Sequence, residues 1–341
     1  MRVLVAMSGG VDSSVAAAVL LGEGHDVVGV TMRLWGGASD TGCCSVSEVD
    51  DARRVAHRLG IDHHVFDFSS EFQTHVVDPY VADHAAGRTP NPCVECNRHL
   101  KFDKLARRAD ALGFDAVATG HHARRVRDAR GAWRVARGAD PGKDQSYVLA
   151  TLTQEALSGI RFPIGDLTKA EVRARAAELD LPTATKPDSQ DVCFITRAAG
   201  RGDFLSRRIP LHPARVVDAT GVELGEVAAV ELVTIGQRKG LELAGGSARR
   251  YVTDVDVAAR VVTVGDVAEL RTDTVELRDL VWSAEPLRGV VSVQVSAHGS
   301  AQPATVEGRV LRWASPQRRV APGQSVVLYR DEMVMGGGIA C

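Results

Sequence analysis

Two groups of residues in this 341-residue chain have the types and spacing that chemistry requires. The first is the stretch "AMSGGVDSS" at residues 6–14, which ends an apolar run and opens a helical one. A glycine-rich turn between a strand and a helix N-terminus binds anions, because its backbone N–H groups and the helix dipole stabilise negative charge. The second group is the cysteines, in which Cys93 and Cys96 form a C-x-x-C pair and Cys193 follows much later.

The glycine-rich stretch predicts the type of reaction. It is not a Walker A loop, because G-x-x-x-x-G-K-[ST] and its lysine are absent, and it is not G-x-G-x-x-G. Without the lysine that grips a transferred γ-phosphoryl group, the loop favours reactions in which pyrophosphate leaves and the substrate is adenylylated.

The cysteines predict the step that follows adenylylation, which only makes a leaving group. Cys96 is expected just before a helix, where the dipole favours a thiolate. Two distant reactive cysteines beside an ATP loop indicate sulfur transfer, in which one carries the sulfur and the other completes the reaction.

The elements that must position these residues follow a β-α-β pattern. The stretches "RVLVAM", "DVVGVTM", "HHVFDF" and "DAVATGHH" predict strands, and helical patterns lie between them. Capping boxes are predicted from Ser45 to Glu48 and from Thr168 to Glu171. Repeated units of this kind predict an α/β domain, with a parallel sheet and helices on both faces.

The sequence pattern changes at about residue 197, where predicted short strands joined by glycine turns begin. We predict an N-terminal ATP-binding catalytic domain over residues 1–196, a central β-rich domain over 197–268 and a C-terminal domain over 269–341. The alternation in the last part predicts a small antiparallel β-barrel.

Composition narrows the class of protein. The chain is 45% hydrophobic and 25% charged with a net charge of -2, so any basic surface must be local. No apolar run reaches the roughly 20 residues of a membrane span, and the N-terminus has no signal-peptide pattern, so we expect a cytoplasmic protein with no membrane partner. Cys43, Cys44 and Cys341 are expected to be small buried hydrophobic residues.

Six stretches together resemble the bacterial tRNA-specific 2-thiouridylase family of the ATP-pyrophosphatase (PP-loop) superfamily. They are "SGGVDSS", "TPNPCVECN", "ATGHHAR", "GKDQSY", "KPDSQDVCFI" and "TIGQRKGL", in the family's order and over nearly the whole chain. The resemblance implies an adenine nucleotide alpha hydrolase-like N-terminal fold. It also implies the nucleotide-binding residues Ala6, Met7, Ser8, Gly9, Gly10, Val11, Asp12, Ser13, Ser14, Met32 (under the adenine) and Gly120.

The resemblance further implies the reaction. ATP, with Mg²⁺, adenylylates the C2 oxygen of the wobble uridine (position 34) in tRNAs for lysine, glutamate and glutamine. A persulfide on Cys193, loaded by a cysteine desulfurase or a sulfur-relay protein, supplies the sulfur. Cys96 attacks the persulfide, which either frees hydrosulfide or leaves a Cys96–Cys193 disulfide. The products are 2-thiouridine, AMP and pyrophosphate, and we expect a monomer.

Cys93 departs from the family pattern, because many members carry Asp at this position with an acid–base or base-positioning role. A thiol could replace it in part, although its proton chemistry differs. Alternatively, Cys93, Cys96 and Cys193 could bind three irons of a [4Fe–4S] cluster whose open site holds hydrosulfide. Zinc and a merely structural Cys93 are further alternatives, and a lone C-x-x-C lacks the second pair that zinc sites use.

The resemblance also implies contacts with tRNA, including contacts from the C-terminal β-barrel domain over residues 269–341. Asn91, Pro92 and Cys93 would cradle the target base, which must be flipped out of the stack. The other implied tRNA contacts are His121, Lys143, Asp144, Gln145, Arg312, Trp313 and Gln324. Trp313 could instead be a core aromatic, and His121 a hydrogen-bonded residue at a strand end.

Local charge fits an RNA partner. Residues 124–137 contain six arginines against one acid, and residues 309–319 contain four arginines and no acid. Such phosphate contacts give affinity but little sequence information, and one such run alone is more often a solvated face.

Two other functions compete. An amidating ligase of the argininosuccinate or NAD synthetase type needs neither paired cysteines nor a β tail. A non-catalytic RNA-binding protein needs neither an intact loop nor cysteines.

Overall fold

The computed structural model describes residues 1–35, 46–188, 192–195, 200–241, 243 and 249–341. Cys43, Cys44, the predicted capping residue Ser45 and residues 189–191 of the "KPDSQDVCFI" stretch lie outside these ranges. Among the described residues, no helix is long and apolar enough to cross a membrane.

Seventeen strands and nine α-helices make up the described fold. The strands are β1 (Arg2–Ala6), β2 (Asp26–Arg33), β3 (His63–Asp67), β4 (Ala116–Thr119), β5 (Ala123–Arg127), β6 (Trp133–Arg137), β7 (Ile160–Arg161), β8 (Ala214–Asp218), β9 (Glu223–Val227), β10 (Tyr251–Asp256), β11 (Val261–Gly265), β12 (Arg271–Trp282), β13 (Gly289–Gln294), β14 (Gln302–Glu307), β15 (Val310–Arg318), β16 (Ser325–Arg330) and β17 (Met333–Ala340). The helices are α1 (Val11–Gly22), α2 (Val46–Leu59), α3 (Ser69–Phe72), α4 (Asp78–Ala85), α5 (Pro92–Glu95), α6 (Leu105–Ala111), α7 (Gln154–Ser158), α8 (Lys169–Glu178) and α9 (Gly200–Ser206).

The N-terminal part is built on a five-stranded parallel sheet in the order β3-β2-β1-β4-β7. Side chains alternate across its strands, as the period of two requires. Val3 and Val5 pack with α1, α2 and α8, whereas Leu4 faces a second apolar group on the other side of the sheet. Both faces are therefore covered, which confirms the predicted α/β class.

Two interrupted helices cover the second face of the sheet. A π-helical turn, Gln73–Val77, joins α3 to α4, and a longer π-helical segment, Cys96–Lys104, joins α5 to α6. π-Helical turns are often found at functional sites, and the second one begins at a cysteine that the sequence singled out.

The remaining chain is rich in β-structure, as predicted. A four-stranded sheet in the order β10-β11-β8-β9 forms the middle part around its own apolar core. The last six strands pair in the order β12-β15-β14-β13-β16-β17, and β12 also pairs with β17. This last pairing closes the sheet into the small barrel that the alternation predicted.

One hairpin extends the barrel from far away in the sequence. The β5–β6 hairpin lies within residues 1–196, and yet β6 pairs with β17 of the barrel through Met333 and Ala136. The sequence patterns assigned no strands to residues 123–137, so this hairpin was not predicted. Antiparallel strands can join any open sheet edge, so the destination of the hairpin depends on tertiary contacts.

Cys341 corrects an expectation from the sequence. It follows β17 and is exposed rather than a small buried hydrophobic residue.

Candidate active site

The turn between β1 and α1 has the geometry of an anion site. Gly9 has a φ of 72°, a left-handed conformation that favours glycine. Gly10 is the N-cap residue of α1, and the Ser13 and Ser14 hydroxyls donate to its carbonyl at 3.1 and 2.8 Å. The Ser8 N–H donates to Ser13 Oγ at 3.2 Å. The loop is thus held by its own serines, while the first-turn N–H groups of a helix remain for an external acceptor.

Gly120 allows β4 to end directly against this loop. A Cβ atom at Gly120 would lie 2.5 Å from the Ser13 nitrogen and 2.6 Å from the Asp12 carbonyl carbon. Real Cβ atoms do not approach backbone this closely, so only glycine fits without a shift. The sequence predicted that Gly120 and the loop share a pocket, and the structure brings them together.

Asp12, in the first turn of α1, is the electrostatic centre of the loop. The Lys169 ammonium donates to both of its carboxylate oxygens at 2.7 Å, and His122 Nε2 lies 3.2 Å from Oδ1. Burial opposes ionisation, but the hydrogen bonds from His122 and Lys169 hold the pKa of Asp12 below its usual value. The carboxylate is therefore ionised and oriented.

A second carboxylate, Asp188, continues this charged network. Lys143, Lys169 and Arg173 each place a cationic nitrogen 2.8 Å from one of its oxygens. Burial again opposes ionisation, but hydrogen bonds from Lys143 and Lys169 lower the pKa of Asp188 to about 2. Three cationic side chains from outside the loop thus meet at Asp188.

Lys186 supports the other side of the loop. Its ammonium donates to the Gly9 carbonyl at 3.0 Å and to carboxylates of Glu48 and Asp51 at 2.8 and 2.5 Å. Burial lowers the pKa of Lys186, but these carboxylates outweigh it and raise the pKa overall. The lysine therefore stays charged and fixes the loop backbone on α2.

The loop and its cations fit the triphosphate of ATP. Helix N–H groups donate hydrogen bonds to phosphate oxygens, and lysine ammonium groups neutralise their charge. Met32, predicted under the adenine, is buried near the end of β2. Asp12 and Asp188 offer carboxylate oxygens beside the loop, which fits Mg²⁺, because this ion takes one or two carboxylates and completes its shell with phosphate and water.

Cys93 and Cys96 lie on one continuous helix. Asn91 caps this helix, since its Oδ1 accepts from the Cys93 N–H at 3.1 Å. Cys93 is exposed in the first turn, whereas Cys96 is buried at the start of the π-helical segment. The expected position of Cys96 just before a helix is therefore wrong, because Cys93 takes the place nearest the positive end of the dipole.

Cys193 lies in a short turn beside an aromatic cluster that we define as Trp35, Phe72, Tyr80, Phe194 and Phe204. The neighbouring Phe194 is buried, with its ring centroid 5.6 Å from Phe72 and 5.4 Å from Tyr80. Cys193 packs against the same apolar group that contains Cys96 and Met32. The fold thus gathers the two predicted reactive cysteines and the predicted adenine position on one face of the sheet.

The described part of the chain contains no group of three or more His, Cys, Asp or Glu side chains that could hold a metal ion. A [4Fe–4S] cluster on Cys93, Cys96 and Cys193 stays an alternative prediction.

Comparison with known proteins identifies the family of this chain. The tRNA methyl transferase HUP domain model matches residues 1–197, the tRNA methyl transferase PRC-barrel domain model matches 202–266, and the aminomethyltransferase beta-barrel domain model matches 272–340. The tRNA-specific 2-thiouridylase MnmA of Mycolicibacterium gilvum is 48% identical, covering 97% of this chain and 96% of that protein. That of Frankia casuarinae is 46% identical, covering 99% and 98%.

The chain belongs to the tRNA-specific 2-thiouridylase family. It is therefore an enzyme of the sulfurtransferase class. Among solved structures, a 4-thiouridine synthetase in complex with RNA and bound ATP is similar over 57% of this chain and 44% of that chain, with 19% sequence identity and a TM-score of 0.38.

His121 lies where the 2-thiouridylase resemblance predicts a tRNA contact, but it is buried. Its Nδ1 lies 2.7 Å from Thr119 Oγ1, and its ring packs against those of Phe102 and Phe162. Burial holds the pKa of His121 well below its usual value, so the imidazole is neutral. This geometry is that of the alternative interpretation, a hydrogen-bonded histidine at a strand end.

The segment Lys143–Gln145, which the resemblance places on tRNA, also braces the site. Asp144 is mostly buried and accepts from Arg137, the Gly138 N–H and Ser146. Gln145 Oε1 accepts from the His122 N–H at 2.9 Å. Lys143, whose side chain is 43% exposed and paired with Asp188, and Gln145 are both exposed.

The predicted tRNA contacts in the C-terminal barrel differ in exposure, because some lie on the surface and one lies in the core. Arg312 is exposed on β15 and lines a cleft with Arg288. Trp313 is only 8% exposed and packs in the barrel core, which is the alternative interpretation of this residue. Gln324 is half-buried, and its carbonyl accepts from the Ala340 N–H at 2.9 Å.

The arginine run at residues 124–137 is largely used within the protein. Arg134 is buried and donates to Asp128 and to Ser283 of the barrel. Arg137 donates to Asp144 and to Gln294 of the barrel. These bonds fasten the β5–β6 hairpin to the barrel, so a run that suggested RNA is in good part structural.

Sequence reasoning missed Lys169, Lys186, Asp188 and His122 as residues of the site. Lys186 and Asp188 lie within "KPDSQDVCFI" and His122 within "ATGHHAR", so the motifs themselves were the available signal. Lys169 stands in neither stretch, and nothing local indicates that α8 carries it to Asp12.

Proposed function

We propose that this chain uses ATP to replace the C2 oxygen of the wobble uridine (position 34) with sulfur in tRNAs for lysine, glutamate and glutamine. The observation that carries the proposal is that two features occur together. One is the anion loop with its lysine partners, and the other is the apolar group beside the end of β2 that includes Cys96 and Cys193. A phosphate site and two cysteines at one sheet edge are what adenylylation followed by sulfur transfer needs.

The first step activates the uridine. Its C2 oxygen attacks the α-phosphorus of ATP, a new P–O bond forms, and pyrophosphate leaves with the electron pair of the broken bond. The loop binds the phosphates through helix N–H groups. Mg²⁺, when bound, neutralises phosphate charge, and Asp12 and Asp188 are the residues that would hold it.

The second step transfers sulfur from a persulfide on Cys193. The terminal sulfur attacks C2 of the adenylylated base, and AMP leaves with the original oxygen. The Cys96 thiolate then attacks the Cys193 sulfur, which releases 2-thiouridine and leaves a Cys96–Cys193 disulfide. An external dithiol reductant supplies the two electrons that reset the pair. In the variant order, Cys96 attacks first and frees hydrosulfide, which is the nucleophile at C2.

Cys93 serves the proton transfers of this reaction. It is exposed in the first turn of a helix, where the dipole favours a thiolate that can accept a proton. The apolar surroundings of Cys96 disfavour its own thiolate, so a neighbouring proton acceptor on the same helix is useful.

For tRNA binding we propose two surfaces. Asn91, Pro92 and Cys93 border the site where the flipped base would enter, with Cys93 exposed. Lys143, Arg312 and Gln324 give contacts to the backbone. His121, Asp144 and Trp313 act from inside the protein by positioning these groups, whereas Gln145 is exposed and contacts tRNA directly.

The remaining parts of the proposal concern the cellular setting. A cysteine desulfurase or a relay protein loads the persulfide, because ATP supplies no sulfur. We further propose a monomer that works in the cytoplasm, where thiols are kept reduced.

The test is Cys193→Ser in an iron-free preparation supplied with ATP, Mg²⁺, unmodified glutamate tRNA, a persulfide donor and a thiol reductant. Mass spectrometry of digested nucleosides measures 2-thiouridine, and a gel shift measures tRNA binding. We expect product to fall by at least about a thousandfold, because a serine cannot carry sulfur, while tRNA binding is unchanged.

Cys341→Ser is the matched control, since Cys341 is exposed and outside the site. It should make 2-thiouridine like the unaltered protein. Persistent thiolation by Cys193→Ser contradicts the persulfide scheme. An unaltered protein that binds tRNA but makes 2-thiouridine only after reconstitution with iron and sulfide would instead support the cluster route.

A further inference from the structure

Lys169 occupies the place that the loop itself leaves without a lysine. Its ammonium lies 2.7 Å from both oxygens of Asp12 and 2.8 Å from Asp188 Oδ1, and its side chain is 12% exposed. Asp12 is in the first turn of α1, where phosphate meets the helix N–H groups. The ammonium is therefore beside the anion site although it comes from α8.

The position of Lys169 is fixed by several contacts. It is the first residue of α8, and Thr168 and Glu171 form the capping box that sets where this helix begins. The Lys169 N–H donates to Asp140 at 3.0 Å. Val172 and Ala176 of α8 pack in the same core as α1. A long side chain anchored in this way loses little further freedom when it binds a ligand.

Lys169 can turn to a phosphate without leaving a carboxylate unpaired. Asp188 keeps Lys143 and Arg173, each at 2.8 Å. Asp12 keeps His122 at 3.2 Å. Breaking a buried ion pair costs free energy because it leaves a charge without a partner. Here the carboxylates of Asp12 and Asp188 would each retain a partner.

We propose that Lys169 binds the pyrophosphate portion of ATP directly, in the role that a loop lysine has in Walker A proteins. This inference rests on the proposed use of ATP. Negative charge develops on pyrophosphate as the bond from the α-phosphorus to the bridging oxygen breaks, and a positioned ammonium stabilises it. Asp12 and Asp188 hold the ammonium at the site before ATP arrives.

The experiment measures binding of inorganic pyrophosphate, ATP and AMP by titration calorimetry in the full chain. Lys169→Ala should weaken pyrophosphate and ATP by about 10- to 100-fold, because a charge-assisted hydrogen bond is lost. AMP, which lacks the pyrophosphate portion, should change by less than about threefold. Lys169→Arg keeps the charge and should recover most of the pyrophosphate affinity.

Arg175→Ala is the matched control, because Arg175 is an exposed cation on the same helix. It should bind pyrophosphate like the unaltered protein. The double variant Asp12→Asn/Lys169→Ala, titrated with pyrophosphate in the absence of Mg²⁺, separates a lost contact from an unmasked carboxylate. If the double variant stays weak, Lys169 contacts phosphate. If it recovers, repulsion by Asp12 was the cause and the proposal is overturned.

Two further results would overturn the proposal: unchanged pyrophosphate affinity in Lys169→Ala, or equal losses of pyrophosphate and AMP that Lys169→Arg does not repair. Should Lys169→Ala not fold in a thermal melt, Lys169→Gln and Lys169→Arg give the same comparison. Pyrophosphate binding needs neither tRNA nor sulfur, so a failure of thiolation leaves this result standing.

Discussion

Cys93 and Cys96 differ in environment although both lie on one continuous helix. Cys93 is exposed at the capped end, and Cys96 is buried one turn further on. A thiol at the positive end of a helix is suited to holding or giving up a proton. A thiol in an apolar group is shielded from solvent and reacts only with groups that are bound in the site. The two residues therefore have separable roles.

Cys93→Asp tests the role of the exposed thiol. A carboxylate in the first turn of a helix is ionised and stabilised by the dipole, so it can accept a proton in place of the thiol. We expect the iron-free variant to make 2-thiouridine within about tenfold of the unaltered rate, and Cys93→Ala to lose about a further 10- to 100-fold. Initial rates by mass spectrometry measure both.

The same variant decides between the two sulfur routes. A carboxylate does not replace a thiolate ligand of iron in the usual cluster sites. If Cys93→Asp is inactive and the unaltered protein needs reconstitution with iron and sulfide, then the persulfide assignment fails and a cluster route replaces it.

At the scale of elements, the contact between the end of β4 and the start of α1 decides the shape of the anion loop. Gly120 touches the backbone of Asp12 and Ser13 because it has no side chain. His122, two residues on, reaches Asp12. The capping box of α8 performs a similar task for Lys169. Backbone geometry at three element ends therefore places the charges.

Gly120→Ala should separate β4 from α1, since the new Cβ would meet Ser13 N at 2.5 Å. We expect a loss of about 1–3 kcal/mol in the free energy of unfolding from overpacking. ATP affinity should fall by about tenfold or more because the loop is displaced. Denaturant titration and calorimetry measure the two effects.

Gly22→Ala provides the contrasting case, because a Cβ at Gly22 in α1 would meet nothing within 4 Å. It should leave ATP affinity unchanged and stability equal or slightly higher, by up to about 1 kcal/mol. Equal behaviour of the two variants would mean that the contact at Gly120 does not shape the loop.

At the scale of the whole molecule, the three parts are joined by buried polar contacts. The hairpin arginines reach the barrel, and the Ser146 hydroxyl lies 3.0 Å from that of Tyr329 in β16. His84, at the end of α4, approaches the Glu231 carbonyl of the middle part at 3.4 Å. Polar groups at such junctions must be satisfied in the assembled molecule, which links the stability of the parts.

His84 predicts a pH dependence of the whole fold. Burial lowers its pKa to about 4, from an ordinary value of 6.5. Between these values the unfolded chain binds a proton that the folded chain does not, so stability falls as pH is lowered from about 6.5 to about 4. This group contributes up to about 3 kcal/mol of that loss.

His84→Gln removes this contribution, so its loss of stability over the same window should be smaller than that of the unaltered protein. Denaturant titrations at several pH values measure the difference. His57→Gln, at an exposed position of α2, is the control. Parallel curves for the unaltered protein and His84→Gln would show that His84 is not neutral in the folded state.

The sequence by itself determined the features that local rules govern. The Gly-Gly turn followed by an alanine-rich helix predicts β1, the loop and α1, because glycine adopts the left-handed conformation at Gly9 at the lowest cost. The capping box at Thr168 is set by residues three apart. The alternating tail predicts a barrel, since period-two patterns need closure or cover. The motifs were also enough to indicate the family.

Only the tertiary structure decided which distant groups meet. Nothing local states that Lys169 pairs with Asp12, that Trp313 lies in the core, or that the hairpin of residues 123–137 joins the last strand. Ion pairs and antiparallel edges are satisfied by any suitable partner. The packing of α8 on α1 and of the barrel on the hairpin selects among the partners, and packing is a property of the assembled chain.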